Sequence, residues 1–371
     1  MNPKGKQAGA AAPGCQSKTM KQVPEDVVVG ILSRLPVKSL CRFKCTSKVW
    51  CNLISDTRFV KMQLNQSIES KRGRCVMDIS QSIESETGIC VLRPRRFELD
   101  YGRLFSGNEV KLVEVDSSFG LKIIDNGWTM HVWDSCNGLL CVYVYPRNIA
   151  LVNPSTRQTN IILCSHGPKN KPKPQPLLGG FGYDALHDDH KVVVIIDRTM
   201  VEVYSLKYCA WSPIGDFPHD SEIIGGGVHV NGVIHWITLY GSESVVSITA
   251  FDLSKQEFSR ITTPIPQDDY VWLHLLSLGG NLCIGYNHET SYEFLVMEIH
   301  GKENSWKRTV LKFIYRSIPF VLDFPRSEEA LIISNGCLFI YNHRDKTHRR
   351  VNYAEEKLIY GFSYVESLVS L

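Results

Sequence analysis

From Val23 to Ile54 the apolar residues recur at helical spacing. Val27, Val28, Ile31, Leu32 and Leu35 fall at i, i+1, i+4, i+5 and i+8, which predicts one apolar stripe along a helix. Pro24 followed by Glu25 and Asp26 marks its start, because proline suits the first turn and acids face the positive end of the helix dipole. Pro36 stops it. A second helix beginning near Lys38 buries Leu40 and Phe43, and a third carries Val49, Trp50, Leu53 and Ile54. Arg42, Lys44 and Lys48 are left for exposed faces. A unit this small does not bury enough apolar surface to stand comfortably alone. Either it packs on the rest of the chain, or another protein covers part of its stripe.

Beyond about residue 130 the period changes. Short runs rich in Val, Ile, Tyr and Phe alternate with Gly, Asn, Asp and Pro, which predicts strands. Asn137-Gly138, Asn231-Gly232 and Asn335-Gly336 adjoin such runs and are strong hairpin signals. A repeat emerges when strand ends are aligned. Each unit runs from an apolar strand through a polar turn, usually into an aromatic or basic residue that opens the next strand. With Val152, Tyr204, Phe251, Met297 and Tyr341 as anchors, the spacings are 52, 47, 46 and 44 residues. A period of that size with several strands per unit predicts a β-propeller. A sandwich would space strands similarly without keeping aromatics in register.

Length agrees with two modules, since 371 residues exceed what one hydrophobic core usually serves. Hydrophobic residues at 43% and charged residues at 21% are ordinary for a globular chain. No apolar run approaches the length of a membrane span, and the polar start is unlike a secretory leader. These features lead us to expect a soluble protein of the cytoplasm and/or nucleus. None of the twelve cysteines forms a C-x-x-C pair. Cys141, Cys283 and Cys337 sit in strand-like runs, as free thiols do when they serve as small hydrophobes. The N-x-S sequon at Asn65 carries little weight without secretion.

Net charge is +3 but unevenly placed: residues 1–20 carry +3, residues 21–66 carry +5, and the remainder carries −5. A basic head on a mildly acidic body suits an acidic partner, either nucleic acid or protein.

The run Val23-Pro24-Glu25-Asp26-Val27, continuing through Ile31-Leu32-Ser33-Arg34-Leu35-Pro36-Val37-Lys38-Ser39-Leu40 to Phe43-Lys44, Ser47-Lys48, Trp50 and Leu53-Ile54, resembles a plant F-box. Some twenty positions agree in order and spacing. Val23 and Val27 stand where the family has Leu, and Thr46 where it has Val. The body resembles the F-box-associated, kelch-like domain. Ser135-Cys136-Asn137-Gly138-Leu139-Leu140-Cys141, the turn Asn153-Pro154-Ser155-Thr156-Arg157, Gly180-Phe181-Gly182-Tyr183-Asp184 and the closing Tyr364-Val365-Glu366-Ser367-Leu368 follow the family's order.

The resemblance implies an α+β chain in two modules, a small N-terminal all-α F-box followed by an all-β kelch-like propeller. The boundaries are a disordered tail at 1–20, the F-box at 21–66, a linker or first blade at 67–130, and the propeller at 131–371. It implies a non-catalytic substrate-recognition subunit of an SCF-type ubiquitin ligase. The F-box would dock on an acidic Skp-type adaptor and, through it, a cullin scaffold, while the propeller binds an unknown protein target. By position the adaptor-facing residues are Pro24, Val27, Ile31, Leu32, Leu35, Pro36 and Leu40, with Phe43, Trp50, Leu53 and Ile54 internal. No cofactor, metal, nucleic acid or membrane is implied. Target recognition would use loops on one propeller face, with segments 146–148, 213–220, 266–272 and 316–325 as candidates.

Competing chemistry is weaker. His187-Asp188-Asp189-His190 has metal-ligand residue types, but neighbouring side chains in a turn diverge, which favours a polar inter-strand turn. Gly225-Gly226-Gly227 lacks the Lys-Ser/Thr of a phosphate loop and reads as a glycine-led strand entry. The Lys-Pro run at 169–176 reads as an exposed polyproline-like loop. There is no G-x-S-x-G elbow or H-E-x-x-H helix. Three alternatives stay open. One is a propeller hydrolase or lectin-like binder whose head is only a cap; another is a nucleic-acid binder using the basic head; the third keeps the F-box but acts outside a ligase. The exact repeat of Gln66-Ser67-Ile68-Glu69-Ser70 at Gln81-Ser82-Ile83-Glu84-Ser85 has no functional reading.

Overall fold

The computed structural model describes residues 24–70, 74–83, 89–98, 113–114, 121–124, 130–144, 148–164, 177–218, 221–241, 245–265, 272–288, 291–311, 320–326, 329–334, 337–342, 344–351 and 361–371. The expected tail at 1–20, the Lys-Pro run at 169–176 and the Asn335-Gly336 turn lie outside them.

Four helices come first: α1 (Glu25–Leu32), α2 (Val37–Lys44), α3 (Lys48–Ser55) and α4 (Thr57–Ser70). Pro24 and Pro36 occupy the N-caps of α1 and α2, as their fixed φ and missing N–H favour. Ser47 caps α3 by accepting the N–H of Trp50, and Asp56 caps the next helix by accepting the N–H groups of Arg58 and Phe59. Helix α4 is a correction to the three-helix expectation. Its signal was present in that cap and in the spacing of Phe59, Val60, Gln63 and Leu64. The repeated pentapeptide is helical at 66–70, whereas residues 81–83 lie in the strand Arg74–Ile83. The same local sequence thus takes two conformations, so packing overrides local propensity here.

Beyond α4 the regular structure of the described residues is β, apart from one 3-10 turn at Glu303–Ser305. Five four-stranded antiparallel sheets follow in chain order, with first strands Met130–Cys136, Leu178–Asp184, Ser221–Val230, Leu273–Leu278 and Phe320–Arg326. A further sheet joins Gly361–Val365, near the C-terminus, to Arg74–Ile83 and Ile89–Glu98, and so completes the first unit with a strand from the far end of the chain. We number this sheet blade 1 and the others blades 2 to 6. The first strands contact one another in turn, and Gly361–Val365 touches both Phe320–Arg326 and Met130–Cys136. The ring is therefore closed, which removes the exposed edges an open sheet would leave at the hub.

The repeat seen in the sequence is the blade repeat. Val152, Tyr204, Phe251, Met297 and Tyr341 all lie in the third strand of their sheets, and all are buried. Aromatics that open two of the fourth strands tie blades together. The indole N–H of Trp211 donates to the backbone oxygen of Leu163 in the preceding blade (3.0 Å), and that of Trp306 donates to Thr262 (3.3 Å). Asn137-Gly138 and Asn231-Gly232 have both residues at positive φ, the backbone that a two-residue hairpin matched to strand twist demands.

In blades 2 to 5, the turns between strands one and two and between strands three and four face one end of the ring. The described turn 197–199, between strands two and three of blade 3, faces the other. The helical head sits at the first end: Lys61 of α4 pairs with Asp188 in the 185–188 turn (2.7 Å). Of the expected recognition segments, residues 146–147, 219–220, 266–271 and 316–319 lie outside the described residues.

Candidate functional site

Helix α1 is amphipathic, and its two apolar sides do different things. Val27 and Ile31 are 46% and 55% exposed, and Pro24 and Pro36 are also exposed, while Leu35 is half-buried. Leu32 and Leu40, expected to face a partner, are instead 4% and 0% exposed. They are core, packed with Val37, Ile54 and Phe59. The reason is geometric: a helix of eight residues shows each neighbour only one side, and Leu32 lies on the side turned toward α2 and α3. Phe43 is also displaced from expectation. It stacks on Trp50 with ring centroids 5.8 Å apart, yet remains partly exposed. Val49 is the most exposed large apolar residue of the head. Val27, Ile31, Phe43 and Val49 are thus unpaid apolar surface on a basic module. Lone exposed apolar residues are common, but with Met62 and Ile68 of α4 the head exposes six on under fifty residues, which points to a docking face.

The propeller's chemistry-bearing clusters resolve into structural networks. In the 187–190 run the four side chains diverge. His187 meets Asp184 (2.7 Å), Asp188 meets Lys61 and the Tyr183 hydroxyl, and Asp189 accepts from Ser205 and from the N–H of Lys207. His190 packs against the rings of Phe181 and Tyr183. Among the described residues no group of three or more His, Cys, Asp or Glu is placed to hold a metal ion. Gly225-Gly226-Gly227 is not a strand entry but lies inside the strand Ser221–Val230. Pairing jumps from Ile224–Ile237 to Val228–His235, so the three glycines bulge out opposite Trp236. A Cβ on Gly227 would lie 2.7 Å from that indole, which explains glycine there.

The hub is held by groups that the sequence did not single out. Lys191 is buried and donates to Asp184 (2.7 Å) and to the backbone oxygen of Leu253 in the next blade (2.8 Å). His229 accepts the N–H groups of Tyr183 and Gly232 through Nε2, so its proton sits on Nδ1, toward the Cys136 sulfur at 3.7 Å. Burial holds this imidazole down at about 4. Among the described residues nine cysteines are free, and burial pushes the Cys283 thiol up to about 12. Cys136 and Cys141 are pushed up likewise by burial. Such thiols are inert as nucleophiles. No helix among the described residues is long and apolar enough to cross a membrane.

A small helical head with an exposed apolar face, set on one end of a closed propeller, defines a two-module binding protein. Comparison with known proteins carries this further. Residues 99–371 match the F-box associated beta propeller domain, and residues 20–62 match the F-box domain. The chain belongs to this family of plant F-box proteins. An F-box/kelch-repeat protein of Arabidopsis thaliana is 27% identical over 87% of this chain and 85% of its own. A second F-box protein of that plant is 30% identical, covering 73% and 85%. Among solved structures, an oligogalacturonate lyase in complex with manganese is similar at a TM-score of 0.39 and 10% identity, over 75% of this chain and 73% of that one. A likeness of that degree carries no functional argument.

Proposed function

We propose that this protein is the substrate-recognition subunit of an SCF-type ubiquitin ligase. Its F-box docks on a Skp-type adaptor, which links it to a cullin, and its propeller binds a target protein. The observation that carries the reading is the exposed pair Val27 and Ile31 on α1 of a matched F-box. Pro24, Leu35 and Pro36 flank them, and Leu32 and Leu40 support the face from beneath. The basic charge of residues 21–66 complements an acidic adaptor and steers its approach.

In this role the chain does no bond chemistry. It raises the effective concentration of a target lysine beside a ubiquitin-loaded enzyme that the scaffold presents. The target would engage the propeller end opposite the head, with segments 146–148, 213–220, 266–272 and 316–325 as the candidates. The working compartment is the cytoplasm and/or nucleus.

Co-purification with a Skp-type adaptor tests the reading. Wild type should retain the adaptor, and a Val27→Asp, Ile31→Asp double variant should lose it while its propeller stays folded. A folded wild-type protein that retains no adaptor would overturn the proposal.

A further inference from the structure

The helical head does not complete its own core. Leu32, Val37, Leu40, Ile54 and Phe59 form a single cluster with Leu368, which follows the ring-closing strand more than three hundred residues later. Leu368 is buried there. Remove it and the head's interior opens on the side facing the propeller.

The segment bearing Leu368 is itself fastened to blade 2. Asn153 donates from Nδ2 to the backbone oxygens of Ser367 (3.2 Å) and Val369 (2.7 Å). Its Oδ1 accepts the N–H groups of Ser155 and Thr156. Both amide hydrogens and the amide oxygen are engaged, so the orientation of this side chain is fixed by its partners. The hydroxyls of Tyr364 and Ser155 lie 2.8 Å apart. Val369 and Leu371 pack on the apolar cluster shared by blades 2 and 3. The Asn137-Gly138 turn closes on the segment so tightly that a Cβ on Gly138 would come within 2.7 Å of the Val365 oxygen. Helix α4 adds the Lys61–Asp188 ion pair to blade 3 and lies against the closing strand.

We propose that the segment 365–371 is a positioning clasp. Leu368 fills the head's core, Asn153 anchors the backbone on either side of it, and together they hold head and propeller as one rigid body. Three functions of the fold meet in this segment: closing the ring, completing the head's core, and fixing the angle between the two. For binding alone a flexible tether would serve. For transfer to a lysine it would spread the target through a large volume, whereas a rigid body holds it at one distance and angle. That consequence rests on the ligase reading; the clasp itself does not. Leu368 is a positioning residue, acting through the head rather than touching a partner.

The test uses the full chain, with spin labels introduced as non-natural amino acids at exposed Lys48 in α3 and Thr199 at the far end of blade 3. Wild type should give one narrow distance distribution by pulsed electron resonance. Leu368→Asp should broaden it and speed amide exchange across residues 25–64 by tenfold or more, a floor set by core-truncation costs, while blades 3 to 5 keep their protection. Leu368→Met, which refills the volume, should restore the narrow distribution. A broad distribution in wild type overturns the clasp whether or not any variant folds. So does a narrow one in folded Leu368→Asp. Adaptor binding is scored separately: a narrow distribution without adaptor binding supports the clasp and removes the ligase reading.

Discussion

The carboxylate of Asp134 accepts the backbone N–H of His229 at 2.9 Å, joining the first strand of blade 2 to that of blade 4. His229 in turn accepts the N–H of Tyr183 from blade 3. One acid and one imidazole therefore tie three inner strands, and both are charge-sensitive. Burial raises Asp134 to about 7, against two backbone N–H bonds that lower it.

The sign of the pH dependence follows from comparing such groups. Burial holds His190, His229 and His274 at about 4 and His235 at about 3. Their folded values lie below the unfolded value of 6.5, so the stability they contribute is present above 6.5 and is lost as pH falls toward 4. Each contributes a slope of about 1.4 kcal/mol per pH unit in that window. Asp134 opposes them, since its raised value favours folding at low pH and loses that advantage as pH rises through about 7. Four outweigh one. Urea midpoints should therefore drop steeply between pH 6.5 and 4.5; a flat or rising midpoint would contradict this.

The buried Lys191–Asp184 pair should be costly to break and cheap to replace as a unit. Asp184→Ala leaves a buried ammonium held only by the Leu253 oxygen, at a cost of about 3–5 kcal/mol. The double variant Asp184→Ala, Lys191→Met should recover much of that. Denaturant unfolding of the four members of the cycle measures the coupling, and strict additivity would count against it.

Glycines divide by what surrounds them. Gly138→Ala combines a φ of +78° with a backbone oxygen 2.7 Å from the new Cβ, and should destabilise by more than about 2 kcal/mol, read as a fall in Tm. Gly226→Ala meets nothing within 4 Å and should leave Tm nearly unchanged. Equal Tm shifts for the two would show that the clasp turn is not as tight as described.

The inter-blade indole bonds should be worth about 1 kcal/mol each. Trp306→Phe and Trp211→Phe keep a ring but lose the donors to Thr262 and Leu163. Each should lower Tm by about 1 °C, and the two effects should add because the bonds serve different blade pairs.

The blade repeat was legible because one structural position recurs: Val152, Tyr204, Phe251, Met297 and Tyr341 are the same place in five sheets. Periodicity also found three of the head's helices. It could not separate the two sides of α1, because Ile31 and Leu32 differ only in which neighbour each meets, and that neighbour includes Leu368. Nor could it find Asn153, His229 or Lys191 as ties, since a polar residue in a turn or strand announces nothing about a partner scores of residues away. Helix α4 was missed where cap and stripe were both present at Asp56 and Phe59, and the repeated Gln-Ser-Ile-Glu-Ser shows why short segments alone mislead.

The most direct test of the account is the affinity of the full chain for a purified Skp-type adaptor, measured by calorimetric titration. Wild type should bind. Val27→Asp with Ile31→Asp should weaken binding by about thirtyfold or more, the scale of losing a central apolar anchor. Leu163→Asp, at a still more exposed apolar residue on the outer strand of blade 2, should leave affinity unchanged. Equal affinities for wild type and the α1 double variant would contradict the account.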